Sequence, residues 1–267
     1  MRYESDDLLK RTELLLNTAG QSSEGPSPLL EPVRDFLGRG GKRFRTRLVE
    51  MSYRLAGGLD GGPDPALGAA VELLHAGSLI VDDIQDASEV RRGQESLHRR
   101  FGVPMALNTG NWLYFAAMET LLSANLAATQ GLAVQRLAVR TLLRCHQGQG
   151  LDLDTRVDAV SPSRLESMVA QITGLKTAEL MRFAAQLGAY GADATADVIE
   201  AVGTFGYHMG IALQMLDDRS GVLAADRKDK GLEDLRLRRV TWPWAWAHAA
   251  RGPEFVEVLQ RQLRWGT

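Results

Sequence analysis

The chain has 267 residues, 45% of them hydrophobic, a formal net charge of −2 and a pI near 6.2. It is long enough to bury a large core, and its near-neutral balance excludes the electrostatic footprint of a nucleic-acid binder. One cysteine, Cys145, excludes an internal disulfide framework, and no uncharged apolar run approaches membrane-spanning length. The N-terminus lacks the pattern of a signal peptide, so a cytoplasmic protein with no stable membrane insertion is expected.

Nine prolines are few, and the many Ala and Leu residues favour helix over sheet throughout, so the fold class expected is all-α. Positions 4–17 predict a short amphipathic helix, followed by a Gly/Ser/Pro loop over 20–28. A second helix covers 29–37 and ends in Gly38-Arg39-Gly40-Gly41. Lys42-Arg43-Phe44-Arg45 then opens a helix running to Ala56. A glycine turn that feeds basic residues into a helix N-terminus suits an anion, because free N–H groups and the dipole both point there. The same pattern also describes a glycine C-cap followed by solvated cations.

A long apolar helix is predicted over 66–90, and its end concentrates the chemistry. Asp82, Asp83 and Asp86 follow Leu79-Ile80-Val81. At 3.6 residues per turn, positions 82 and 86 stand one above the other, with 83 close beside them. Three carboxylates this close repel one another unless cations lie between them, and hard oxygen donors suit Mg²⁺. Arg91-Arg92-Gly93 begins five residues after Asp86, and guanidinium forks match diphosphate oxygens. A solvated helix end neutralised by neighbouring arginines has the same composition, so this stretch alone leaves both readings open. His75 lies two turns before Asp82 on the same side, and Gly77 and Ser78 leave space where bulk would block it.

Further helices are predicted over 104–129, 132–147, 163–188 and 194–223. Gln149 and Asp152 fall in a GQGLDL segment between two of them. Lys176-Thr177 lie inside an apolar helix, where a lysine either snorkels to water or faces a buried anion. Gln214, Asp217 and Asp218 make a second acidic end. Residues 226–239 are strongly charged and suit either a solvated loop or a cationic lid, and Trp242, Trp244 and Trp246 suit helix packing.

In this order and at this spacing, the segments resemble the all-trans isoprenyl diphosphate synthases of the polyprenyl synthetase family, short-chain type, over 40–242. The resemblance implies a single helical domain over 1–267, a bundle of antiparallel helices around a central cavity. It implies condensation of isopentenyl diphosphate with an allylic diphosphate, three Mg²⁺ per active site and a homodimer. Asp82-Asp83-Ile84-Gln85-Asp86 matches the first aspartate-rich motif. Metal ligation is implied for Asp82, Asp86 and Asp217, and catalytic roles for these with Asp83, Arg91, Lys176, Thr177, Gln214 and Lys230. Isopentenyl diphosphate contacts are implied for Lys42, Arg45, His75 and Arg92, allylic diphosphate contacts for Arg91 and Lys176, and substrate contacts also for Gln214, Lys230 and Arg239. The second motif departs from the family pattern: Asp217-Asp218-Arg219-Ser220-Gly221 has glycine for the third carboxylate. Asn111 also stands where the family often has aspartate.

Gly77 and Ser78 stand where C15 enzymes of the family often carry an aromatic floor, so a C20 product is expected over C15, with a floor lower down at residues such as Leu74 or Met118. Two alternatives stay open. A class I terpene cyclase would ionise the same kind of diphosphate without isopentenyl diphosphate, leaving Lys42, Arg45, His75 and Arg92 without a second anion. A non-catalytic partner subunit would have no need of the first acidic cluster.

Overall fold

Asp64 opens the longest helix of the N-terminal half: its carboxylate accepts from Ala66 N at 2.7 Å, and Pro65 takes the first helical position, where no N–H is needed. The computed structural model describes residues 5–19, 27–59, 61–224 and 228–265. Contacts divide the chain into two units, Met1–Ala138 with Ala184–Val202, and Val139–Phe183 with Gly203–Thr267.

The first unit begins with α1 (Ser5–Ala19), α2 (Leu30–Gly38), α3 (Phe44–Leu55) and α4 (Pro65–Gln85). A small hairpin, β1 (Val90–Arg91) and β2 (Gln94–Glu95), leads into α5 (Leu97–Phe101) and α6 (Val103–Leu122). α4 and α6 are its most extensively packed pair. Their crossing is built on glycine: a Cβ at Gly77 would lie 2.7 Å from the Gly110 carbonyl oxygen. The space expected at Gly77 is therefore filled by the α6 backbone. Phe36, Leu48, Leu67, Leu73, Leu74 and Leu113 are sealed in this unit's core.

The expected 66–90 helix stops at Gln85. Ala87 adopts φ 53°, Ala87 N donates to Ile84 O at 3.3 Å, and Ser88 N donates to Asp83 O at 2.9 Å. This is the paired C-terminal bond pattern of a Schellman motif, with alanine where glycine is usual. Asp86 is thus the C-cap rather than a residue within the helix.

Three helices carry residues of both units: α7 (Ala128–Asp154), α9 (Glu179–Gly191) and α10 (Ala196–Leu223). The second unit adds short 3₁₀ turns at Val157–Ala159 and Pro162–Arg164, then α8 (Leu165–Thr173), α11 (Lys228–Arg236), α12 (Trp242–Arg251) and α13 (Pro253–Trp265). Gln149 and Asp152 are helical, because α7 runs through GQGLDL to Asp154. The expected 163–188 helix is interrupted by a π-helical turn, Gly174–Ala178. The charged 226–239 segment contains α11. The core here gathers Val157, Leu165, Val169, Val240 and Val256 around Trp242 and Trp244. Trp242 stacks on Trp246 with centroids 6.4 Å apart, so the tryptophans pack as expected.

Candidate active site

On the first unit, the end of α4 splits its three aspartates. Asp82 and Asp86 are half-buried on successive turns, and Asp86 N donates to Asp82 O at 2.9 Å. Asp83 points the other way and is 1% exposed. Its Oδ1 accepts from Arg91 Nε at 2.8 Å and also from Arg91 Nη2. Its Oδ2 is buried and accepts no hydrogen bond. Burial raises the Asp83 pKa, against the lowering effect of Arg91. This carboxylate braces Arg91 from inside the fold.

The hairpin turn places Arg92 at φ 54° and Gly93 at φ 74°, the pair of positive values that a two-residue hairpin favours. A non-glycine residue there costs about 1–2 kcal/mol, and Arg43, at φ 49° before α3, carries the same strain. Arg92 Nη1 donates to Gly40 O, and a Cβ at Gly41 would lie 3.2 Å from Arg92 Nη2. The glycine loop thus lets the guanidinium lie against its backbone.

His75 is half-buried, and its pKa is held well below 6.5 by desolvation and by the charges of Arg45, Arg92 and Arg91. The structure brings together these four residues predicted from sequence, with the histidine neutral among three guanidinium groups. Lys42 is exposed. Glu72, which sequence reasoning missed, accepts from Thr46 N at 3.2 Å and Thr46 Oγ1 at 3.1 Å. One backbone donor of the α3 N-terminus is therefore already taken by a protein carboxylate rather than left for a ligand.

On the second unit, the π-turn carries Lys176 and Thr177. Lys176 Nζ donates to Asp152 Oδ2 at 2.7 Å. Thr177 Oγ1 donates to Gln214 Oε1 at 3.1 Å, Gln214 Nε2 donates to Asp218 Oδ1 at 2.7 Å, and Trp242 N donates to Asp218 Oδ2 at 3.0 Å. This relay fixes the Thr177 hydroxyl and the Gln214 amide, and it fastens the start of α12 to α10. Asp218 is buried, whereas Asp217 is half-buried.

Arg239 is 8% exposed and its Nη1 donates to the Asp152 carbonyl oxygen. This buried bond ties Arg239 to the end of α7. Lys230 lies on α11, but its side chain is outside the described residues. Gly221 meets α11 closely: a Cβ at Gly231 would lie 2.3 Å from Gly221 O. The position that departs from the family's acidic pattern is therefore a helix–helix contact.

Among the described residues no three His, Cys, Asp or Glu side chains form a ready-made metal cage. Mg²⁺ needs none, since it is commonly held by one or two carboxylates, waters and substrate phosphates. Half-buried Asp82 and Asp86, a turn apart with hard oxygen donors, fit that requirement.

A family model described as polyprenyl synthetase matches residues 26–264. The chain is 33% identical over 196 residues to a geranylgeranyl diphosphate synthase of Sulfolobus acidocaldarius, covering 72% of this chain and 57% of that protein. It is 32% identical over 203 residues to a short chain isoprenyl diphosphate synthase of Methanothermobacter thermautotrophicus, covering 74% and 60%. The chain thus matches less than two thirds of the length of these curated relatives. Among solved structures, a polyprenyl synthase from Caulobacter crescentus, complexed with calcium and isoprenyl diphosphate, superposes with a TM-score of 0.78 at 25% identity, covering 99% of this chain and 81% of that one.

Proposed function

This chain belongs to the polyprenyl synthetase family, and we propose that it condenses isopentenyl diphosphate with an allylic diphosphate to give an all-trans prenyl diphosphate. The observation that carries the reading is the make-up of α4. One helix ends in two half-buried carboxylates and, two turns earlier, bears a neutral histidine among three arginines. Carboxylates for a metal beside cations for an anion are the pieces a metal–diphosphate reaction needs.

In this reading Arg45, His75 and Arg92, with Lys42, hold isopentenyl diphosphate, converting a bimolecular encounter into an oriented one. His75, being neutral, contributes a single N–H and no charge. Arg91 and Lys176 would each supply positive charge to offset the negative charge that grows on the departing allylic diphosphate, and Lys230 is a further candidate by its place in the sequence. Thr177 presents its oxygen, oriented by Gln214, toward the allylic cation. Asp82, Asp86 and Asp217 would hold Mg²⁺, three ions per site, which when bound neutralises the leaving group. The final proton passes to the released diphosphate, so no dedicated protein base is required.

We favour a C20 product, supported by the small Ser78, half-buried and hydrogen-bonded to His75 O at 2.8 Å. A homodimer is supported by Leu107, Phe115 and Leu122, which leave apolar surface exposed along α6, Phe115 by 74%. Among the described residues no helix is long and apolar enough to cross a membrane, and we place the enzyme's work in the cytoplasm.

The test is incorporation of radiolabelled isopentenyl diphosphate with C5, C10 and C15 allylic partners and Mg²⁺, followed by product chromatography. Prenyl diphosphate of C20 is expected, and Ser78→Phe should shorten it. Hydrocarbon released from an allylic diphosphate alone would establish a cyclase instead, and C15 as the exclusive product would overturn the chain-length reading.

A further inference from the structure

The arginines that grip the anion do not stand by themselves; helix α2 lies behind them. Phe36 is wholly buried, and its ring carries two guanidinium groups, Arg92 at 5.4 Å and Arg39 at 5.7 Å from the centroid. Arg39 has a side chain only 1% exposed. Its charge is matched by Asp35, whose Oδ2 accepts from Arg39 Nε at 3.1 Å and also from Arg39 Nη2. The other oxygen of Asp35 accepts from Arg100 of α5. Arg39 Nη1 then donates to the Arg91 carbonyl oxygen at 3.3 Å. One face of α2 therefore holds the hairpin backbone through Arg39 and the Arg92 side chain through a ring face.

These contacts have a direct consequence for binding. An arginine that must be ordered when the ligand arrives loses rotamer freedom at that moment, whereas one already resting on a ring has lost it during folding. The aromatic face supplies an attraction for the guanidinium without using any N–H donor, so its donors stay aimed at other partners.

We propose that Phe36, with Asp35 acting through Arg39, is a positioning residue that preorganises Arg92 for the diphosphate. This rests on the reading of Arg92 as an anion-gripping residue, and the experiment separates the two. Phe36 is replaced by phenylalanines with one, two and three ring fluorines, which keep the shape and drain the negative ring face in steps. Binding of isopentenyl diphosphate and of inorganic pyrophosphate is measured by calorimetry, in EDTA to silence metal-dependent sites, and Tm is recorded for each protein.

Dissociation constants for both anions are expected to rise stepwise, by about 3- to 10-fold at three fluorines, the scale set by immobilising one rotamer-rich side chain. Tm should not follow the same steps. Constants flat across the series, or rising only in proportion to a falling Tm, would overturn the proposal while leaving the condensation reading intact. Graded pyrophosphate binding with no condensation activity in the parent protein would support the positioning role and overturn the condensation reading. No binding of either anion by the parent protein would overturn both.

Discussion

Gly148 and Gly150 lie two residues apart in the interior of α7, and the same substitution should move them in opposite directions. Gly150 is exposed, and a Cβ there meets nothing within 4 Å. Gly150→Ala should therefore collect only the helix-propensity gain, about 0.8–1 kcal/mol. Gly148 is buried against the π-turn. A Cβ there would lie 2.3 Å from Lys176 N and 2.7 Å from both Leu175 C and Leu175 Cβ, where ordinary contact begins at 3.4 Å. The obstacle is chiefly backbone, so the two segments must part by about 1 Å, and over-packing of this kind costs about 1–3 kcal/mol, occasionally more. With the upper end of that cost set against the same propensity gain, Gly148→Ala loses about 2 kcal/mol and the two variants differ by about 3 kcal/mol. At about 2–4 °C per kcal/mol for a chain of this size, their melting temperatures should separate by about 6–12 °C in calorimetry. Gly148→Ala should also raise the KM for the allylic diphosphate, since the displaced turn carries Lys176. A Gly148→Ala protein as stable as Gly150→Ala would refute the account of why the GQG segment keeps its first glycine.

His75 predicts an acid limb in the stability profile. Its folded pKa is held below the ordinary 6.5 by burial and by Arg45, Arg92 and Arg91. Its stabilising share is therefore present above 6.5 and is lost as the pH falls from there toward the depressed folded value. Tm should therefore fall as the pH is lowered through this range, because the unfolded chain gains a proton that the folded one resists. His75→Asn should flatten that limb in a Tm series, and parallel profiles for both proteins would refute it. Asp218→Ala leaves Gln214 Nε2 and Trp242 N without their acceptor. At about 1–3 kcal/mol for each of the two orphaned groups it should lower Tm by about 4–24 °C. Asp217→Ala should disturb Tm less and instead raise the Mg²⁺ concentration needed for activity; equal losses of Tm would count against the division of roles. Gly231→Ala drives a Cβ to 2.3 Å from Gly221 O. It should speed hydrogen exchange across 228–236, and an unchanged rate would mean that α11 does not depend on this contact.

The long apolar helices and their order were legible because apolar periodicity and Gly/Pro punctuation report directly on burial and turns, whereas the short α5 and the charged α11 were not. Boundaries failed where a residue did a job usually left to another type. Ala87 takes the left-handed C′ position that glycine normally marks, so nothing in the sequence announced the end of α4. Gly148 and Gly150 mimicked a loop, yet the first is a close approach inside a helix. The π-turn has no composition of its own; it shows only where the Gly148 contact and Lys176 come together. Asp35, Arg39 and Phe36 were invisible as site residues for another reason. They act on arginines 52 or more positions away, and no local pattern joins α2 to the hairpin.

The two acidic motifs show why a motif can be legible while the roles within it are not. Adjacent residues on a helix point about 100° apart, so an Asp-Asp pair at the end of a packed helix cannot send both carboxylates to the same side. In both motifs the second aspartate turns inward: Asp83 is 1% exposed and Asp218 7%. Each is then occupied by the fold, Asp83 by Arg91 and Asp218 by Gln214 and the start of α12. The first aspartate of each pair, Asp82 or Asp217, keeps partial exposure. A carboxylate buried against a guanidinium or a backbone N–H fixes the helix end that presents its neighbour. In the proposed reading the paired motif is a ligand residue joined to its own brace, and a sequence that records only two aspartates cannot say which is which until packing assigns the faces.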